Sequence, residues 1–149
     1  MREILFSGKR LDNGEWAEGN LFILKQYQSD IDHYYILPTN TVCLFCDIFY
    51  YAVEVDPDTI GQFTGLTANG KKIFEGDIVS IRCEGDAEPP SKGQIWYENA
   101  KIYFSEIDCG WFVIFSDGYE LPLAEYVNCD DFTVIGNIHD NPELLEVEE

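Results

Sequence analysis

Residues 102–149 contain no lysine and no arginine. Twelve acidic residues lie in that stretch, and the 149-residue chain has a formal net charge of −19 at pH 7. A nucleic-acid-binding domain needs a basic surface to neutralise phosphates, and an anionic membrane repels a chain of this sign. We therefore expect no direct binding to nucleic acid or to membranes. The negative net charge favours a basic protein partner, although the same charge also promotes solubility.

Long apolar runs are lacking as well. The longest, residues 42–53, is interrupted by Asp47 and is too short to cross a bilayer. The residues after Met1 are charged and lack the apolar core of a signal peptide. We therefore expect a cytoplasmic protein whose five cysteines are free thiols.

Motifs for cofactors are equally sparse. The glycine-rich segment lacks the Gly-Lys-Ser/Thr of a phosphate-binding loop, and there is no Asp-x-Asp-x-Asp-Gly calcium loop. Cys43 and Cys46 have the spacing of a zinc or redox pair, with His33 as a third ligand. In a strand, however, residues three apart point to opposite faces, which favours buried thiols. We predict no metal and no cofactor.

A catalytic site is not evident from any spacing. Cys109 or Cys129 could form a nucleophile–base pair with His139, but such pairs are recognised by geometry and not by composition. We expect that the protein is not an enzyme. A hydrolase with an unrecognised site is kept as an alternative.

The apolar residues form short runs, and these predict a mainly β fold. Hydrophobic residues make up 46% of the chain and aromatic residues 15%, which is enough for a core. Aromatic and β-branched runs separated by Gly, Asn and Asp are typical of many short strands, and hence of a small barrel. Asn13-Gly14 and Asn69-Gly70 predict tight hairpin turns.

Helices are predicted only as short segments. Asp56-Pro57 favours a helical turn with Asp56 as its cap, and residues 121–126 can hold another. Asn141-Pro142 predicts a terminal helix with Asn141 as its cap. Residues 42–55 look like a strand. A domain boundary, if present, falls at Asp56, which separates an N-terminal β region (1–55) from a C-terminal barrel with a terminal helix (56–149).

Three segments together resemble a known family. They are Met1-Arg-Glu-Ile with Asn13-Gly-Glu-Trp16; Ile60-Gly-Gln-Phe-Thr-Gly-Leu66 with Asn69-Gly-Lys-Lys-Ile-Phe-Glu-Gly-Asp-Ile-Val79; and Ile135-Gly-Asn-Ile-His-Asp-Asn-Pro-Glu-Leu144. Their order and content resemble the YopX family of bacteriophage and prophage proteins. The resemblance implies a mainly β fold with an SH3-like barrel in the C-terminal part, a phage or prophage origin, and homo-oligomers. It implies no activity.

The positions that carry this signature also have ordinary conformational explanations. Gly and Asp are the usual residues of tight turns, so we expect a structural role at most of them. The signature positions are Gly61, Gln62, Thr64, Gly65, Gly70, Gly76, Asp77, Gly136, Asn137, Asn141 and Pro142.

A dense aromatic set gives the candidate interaction surface. In strands, about half of these side chains face outward, and exposed Trp and Tyr often mark interfaces. The predicted surface consists of Trp96, Tyr97, Tyr103 and Trp111.

Two further hypotheses follow. The first is a non-enzymatic phage or prophage accessory protein that acts through protein–protein contacts, with itself or with a host or phage protein. The second is an acidic mimic of nucleic acid that occupies a host DNA-binding protein, since residues 102–149 carry acids alone.

Overall fold

The fold is mainly β, as predicted, and its contacts divide the chain into two compact units, Met1–Gly65 and Leu66–Glu149. The computed structural model describes residues 1–41, 48–84, 95–127 and 132–146, with 83–84 and 95–97 described by their backbone alone. Residues 56–65 group with the strands before them, whereas the sequence predicts a boundary at Asp56. Two hydrogen bonds account for this grouping, from Lys9 N–H to Thr59 Oγ1 (2.8 Å) and from Phe63 N–H to Leu5 O (2.8 Å).

The first unit contains an antiparallel sheet. Its elements are β1 (Phe6–Lys9), β2 (Trp16–Lys25), β3 (Asp32–Pro38), α1 (Ile48–Tyr51), β4 (Val53–Glu54), a 3-10 helix (Pro57–Thr59) and β5 (Gly61–Ala68). The strand order is β4-β3-β2-β1-β5, and β5 continues into the second unit, where β6 (Lys71–Phe74) is its next neighbour in the same sheet. Ala17, Ile36 and Val55 form the buried core of the first unit.

Local residues explain two elements of this unit. A hairpin forms at Asn13-Gly14, but its loop spans residues 11–14 and is longer than the predicted tight turn, since Arg10 N–H donates to Glu15 O (2.9 Å). Gly14 takes a φ of +71° and Asn13 does not take a positive φ; the Asn13 side chain accepts a hydrogen bond from Glu15 N–H (3.0 Å). The predicted helical turn also forms. Asp56 accepts a hydrogen bond from Asp58 N–H (3.0 Å), and Pro57 is the first residue of the 3-10 helix.

The predicted strand over residues 42–55 is wrong for its middle part. Residues 48–51 form α1, closed by a hydrogen bond from Ala52 N–H to Ile48 O (3.0 Å), and only Val53 and Glu54 are strand residues. Residues 42–47 lie outside the described part. The residues of α1, Ile-Phe-Tyr-Tyr, favour a strand by propensity, but they form a helix. In this helix Phe49 packs edge-on against Phe22 of β2, which is a tertiary contact.

The second unit contains a five-stranded antiparallel sheet. Its further elements are β7 (Asp77–Glu84), β8 (Ile95–Ser105), β9 (Gly110–Phe115), β10 (Glu120–Pro122), α2 (Leu123–Tyr126), β11 (Phe132–Asn137) and a 3-10 helix (Pro142–Leu145). The strand order is β10-β9-β8-β7-β11. Fully buried core residues include Ile73, Val79, Ile102, Val113 and Leu123. In the described residues no ladder joins β10 to β11, so closure into an SH3-like barrel stays a prediction.

The turn between β6 and β7 is tied to two other parts of this unit. Gly76 has a φ of +86°, a left-handed conformation that favours glycine. Its N–H donates to Ile102 O of β8 (3.0 Å), and its carbonyl accepts from Ile138 N–H (2.9 Å). The Asp77 carboxylate accepts from Phe74 N–H (2.8 Å) and closes the turn.

The pKa of Asp77 is raised to about 6. Burial is the main cause, and it is opposed by the hydrogen bond from Phe74 N–H and by the charge of Lys71. In the unfolded chain the same carboxyl titrates near 3.8. The native state therefore binds more protons than the unfolded state between about pH 4 and pH 6, and the contribution of Asp77 to stability falls as pH rises through that window.

Substitution Asp77→Asn keeps an acceptor for Phe74 N–H and removes the titration. We expect the free energy of unfolding of Asp77→Asn, relative to the unsubstituted protein, to increase from about pH 4 to about pH 7 by roughly 1–3 kcal/mol. Urea denaturation across this range measures the difference. Glu75→Gln, in the exposed part of the same turn, is the control and should show no comparable trend. A pH-independent difference for Asp77→Asn would contradict the raised pKa.

Candidate interaction surfaces

Apolar and aromatic side chains lie partly or largely exposed on one surface of the first unit. We call this surface, formed by Phe22, Leu24, Tyr35, Phe49 and Tyr50, the hairpin–helix patch. The relative exposure is 65% for Phe49 and 80% for Tyr50. Soluble proteins rarely leave contiguous large apolar side chains exposed, so such a patch indicates a contact surface.

Strand alternation produces the patch. Ala17 of β2 and Ile36 of β3 belong to the core, so Phe22 and its cross-strand neighbour Tyr35 face the opposite side of the sheet. Their rings stack with centroids 5.5 Å apart, and Phe49 of α1 lies edge-on to Phe22 at 6.3 Å. The Phe49–Phe22 contact connects α1 to the strands, and Tyr50, the next residue of α1, is exposed and packs edge-on against Tyr51 with ring centroids 5.0 Å apart.

A polar pair borders the patch on the same face. His33 lies opposite Leu24, and Glu54 lies opposite Tyr35, in the strand register. His33 Nδ1 is 2.7 Å from Glu54 Oε1, and each side chain is more than one-third exposed. An apolar centre with a polar rim is typical of protein–protein interfaces. The sequence does not reveal this patch, because the composition of residues 42–55 predicts one strand and not the helix α1.

The predicted aromatic surface is divided by strand pairing. In the register of β8 and β9, Tyr103 lies opposite Phe112 and Phe104 lies opposite Trp111, so Tyr103 and Trp111 are on opposite faces of the sheet. Trp111 packs against the core. The structure therefore does not bring these two predicted residues together. Trp96 and Tyr97 are in β8, and their side chains lie outside the described part. Partner contact by the four residues stays a prediction.

Tyr103 lies on the other face of the sheet together with Phe112, Ile114 and Glu120, and we call this surface the Tyr103 face. A hydrogen bond to the Glu120 carboxylate is the main cause that raises the pKa of Tyr103 to about 12; desolvation and the charges of Glu120 and Asp108 add to it. The Asp108 side chain is positioned by Ser105 Oγ, which donates to Asp108 Oδ2 (2.8 Å).

The signature positions lie in strand pairing and in turns. Those of β5 are Gly61, Gln62, Thr64 and Gly65, and the first two of these pair with Ser7 and Phe6 of β1. Gly70 (φ +76°) follows Asn69 (φ +50°), so the predicted Asn-Gly turn is confirmed. Gly76 and Asp77 form the β6–β7 turn described above.

The C-terminal signature residues form a second turn. The Asn137 side chain accepts hydrogen bonds from His139 N–H (3.0 Å) and Asp140 N–H (2.9 Å). The predicted terminal helix is a 3-10 helix (Pro142–Leu145), and Asn141 makes no capping hydrogen bond, so the predicted cap is wrong. Asn141 instead lies against Gly136, where an added Cβ would be 2.6 Å from Asn141 Oδ1.

The candidate catalytic and metal-ligating residues are placed only in part. Cys109 is exposed in the β8–β9 turn, with Sγ 3.5 Å from Glu106 O, and His139 is exposed in the turn after β11. In the described ranges no three His, Cys, Asp or Glu side chains cluster as a metal site. Cys43, Cys46 and Cys129 lie outside the described residues. No helix within those ranges is long and apolar enough to span a bilayer.

Substitution Gly136→Ala tests the close contact with Asn141. The new methyl group forces Asn141 to move, so we expect a loss of about 1–3 kcal/mol in the free energy of unfolding. Combining it with Asn141→Ala should recover part of that loss, because the shorter side chain leaves room. Urea denaturation of both single variants and the double variant measures the coupling, and strictly additive effects would contradict direct contact.

Comparisons with known proteins agree with the resemblance seen in the sequence. A family model described as YopX protein matches residues 6–146. A crystal structure of protein yopX from Bacillus subtilis is 19% identical, each chain is covered over 100% of its length, and the TM-score is 0.47. No curated protein matches the chain. Because the family model spans nearly the whole sequence, the chain belongs to the YopX family.

Proposed function

We propose that this is a phage or prophage accessory protein without enzymatic activity, which acts through protein–protein contacts and associates with copies of itself. The observation that carries the proposal is the hairpin–helix patch, where Phe49 and Tyr50 of a four-residue helix are 65% and 80% exposed. Aromatic side chains of this kind bury a large area with few rotatable bonds, and they dominate the energetics of many interfaces.

The distribution of charge supports the first unit as the contact region. Residues 1–65 carry four basic and ten acidic residues, whereas residues 66–149 carry five basic and 18 acidic residues. Two copies that meet through the first unit therefore bring fewer like charges together than copies that meet through the second. Salt at physiological strength screens exposed charges beyond about 8 Å, so an apolar contact can outweigh the remaining repulsion.

Replacing Phe49 and Tyr50 together by Ser tests the proposal. We expect the unsubstituted protein to sediment as an oligomer and Phe49→Ser/Tyr50→Ser to sediment as a monomer, because the exposed apolar area is removed. Raising the salt concentration should strengthen association of the unsubstituted protein, since repulsion is screened. Sedimentation velocity across a wide concentration range provides the measurement.

Ile107→Ser is the matched control, because Ile107 is 95% exposed and lies in the second unit. It should leave the oligomer unchanged. Circular dichroism must show that both variants are folded. A monomer of the unsubstituted protein at every concentration, or an oligomer that survives the double substitution, would refute self-association through this patch.

Mimicry of nucleic acid is a second candidate, and the exposure of the acids in residues 102–149 favours it. All the described acids of this stretch are exposed: Glu106, Asp108, Asp117, Glu120, Glu125, Asp140, Glu143 and Glu146. Residues 102–149 contain no lysine or arginine. A surface of this kind presents repeated negative charge to a protein that binds phosphates.

Capture experiments test the mimicry. Immobilised protein should retain DNA-binding proteins from a bacterial lysate. Added duplex DNA should release them because it competes for the same basic surface, and added salt should release them because it weakens the electrostatic attraction. Mass spectrometry identifies the retained proteins. Retention that duplex DNA does not reverse would contradict the idea.

A further inference from the structure

The Tyr103 face carries an aromatic pair outside the core of the second unit. Tyr103 and Phe112 lie opposite each other on β8 and β9, with ring centroids 6.3 Å apart. Both side chains are half-buried, as is Ile114 in the next row. The main hydrophobic cluster of the unit includes Trp111 from the other face but none of these three residues. Each of these three side chains therefore keeps part of its surface exposed to a partner.

Two carboxylates lie beside this pair. Glu120 of β10 pairs with Ile114 in the strand register, so it is on the same face, and it accepts a hydrogen bond from the Tyr103 hydroxyl. Asp108 is hydrogen-bonded to Ser105, which lies two residues after Tyr103 in β8 and therefore on the same side of the strand, and the charge of Asp108 adds to the raised pKa of Tyr103. Both carboxylates are exposed.

The position of Asp108 is fixed before any partner binds. Ser105 Oγ donates to Asp108 Oδ2 (2.8 Å), and Asp108 N–H donates to Ser105 Oγ (3.2 Å). Ser105 itself is buried. A preorganised carboxylate loses little conformational freedom on binding, which favours affinity.

Aromatic faces next to carboxylates recognise cations, and arginine fits best. Its planar guanidinium stacks on rings and donates paired hydrogen bonds to a carboxylate, whereas lysine offers a point charge. Lys101 shares this face, since it lies opposite Ile114, but it forms no ion pair among the described residues. The two carboxylates, Glu120 and Asp108, outnumber this one lysine, so these three charged groups together carry a net negative charge. DNA, RNA and anionic membranes would be repelled by the same charges.

We propose that the Tyr103 face binds an arginine-rich segment of a protein partner, with a guanidinium stacked on the Tyr103–Phe112 pair and held by Glu120 and Asp108. The inference goes beyond both candidate functions, because the partner needs exposed arginines and does not need to bind nucleic acid. It also involves none of the residues of the hairpin–helix patch.

Titration of the ¹⁵N-labelled protein with a nona-arginine peptide tests the proposal by nuclear magnetic resonance. We expect shift changes to concentrate at the amides of Tyr103, Asp108, Phe112 and Glu120. Nona-lysine should bind several-fold more weakly, because it lacks the planar fork. Phe49→Ser/Tyr50→Ser should bind nona-arginine as the unsubstituted protein does, so failure of self-association and failure of this proposal are distinguishable.

Matched variants separate a site from general attraction between charges. Glu120→Gln should weaken binding of nona-arginine about tenfold, whereas Glu125→Gln removes the same charge elsewhere in the unit and should change it less than about twofold. Phe112→Leu keeps apolar volume and removes the ring face, so it should also weaken binding. Equal effects of Glu120→Gln and Glu125→Gln, or shifts spread over all acidic segments, would overturn the proposal.

Tyr103→Phe guards against a structural explanation of the Glu120→Gln result. It keeps the ring and releases the Glu120 carboxylate from its hydrogen bond with the phenol, so binding should be unchanged or stronger. If Tyr103→Phe weakens binding as much as Glu120→Gln, the loss reflects a disturbed hairpin and the proposal is wrong.

Discussion

The β6–β7 turn is the constraint on which the second unit depends. Gly76 takes a left-handed conformation and hydrogen-bonds two other segments through its backbone. Its N–H donates to Ile102 O, and its carbonyl accepts from Ile138 N–H. Asp77 holds the turn closed through Phe74 N–H, although burial disfavours its charge. One tight turn thus connects the β6–β7 corner to β8 and to the segment after β11, and the positions of those strands determine the Tyr103 face.

Local sequence chemistry predicted the Asn69-Gly70 turn and the turn at Asp56-Pro57, since such turns depend on few residues. Asn69 and Gly70 both adopt positive φ, and Asp56 with Pro57 begins a 3-10 helix, as their side chains and rings dictate. The sequence could not predict α1, because the Phe49–Phe22 contact joins residues far apart in the chain. Nor could it assign Tyr103 and Trp111 to opposite faces, because that requires the β8–β9 register.

Family membership and function rest on different residues. The signature positions form turns and strand pairs, which identify the scaffold and maintain its geometry. The surfaces suited to contact lie elsewhere, on α1 with the β2–β3 hairpin and on β8–β10, where the signature contributes no side chain. Folds host many functions, and the surface chemistry decides among them. Partners should therefore be sought with variants of Phe49, Tyr50, Phe112 and Glu120.

Native-state hydrogen exchange measures the role of the β6–β7 turn most directly. The account predicts that the amides of Gly76 and Ile138 exchange only through global unfolding, so their opening free energies equal that of the second unit. The Ala52 amide, which closes the exposed helix α1, should open far more readily. Exchange of Gly76 and Ile138 by local opening, at free energies close to that of Ala52, would contradict the account.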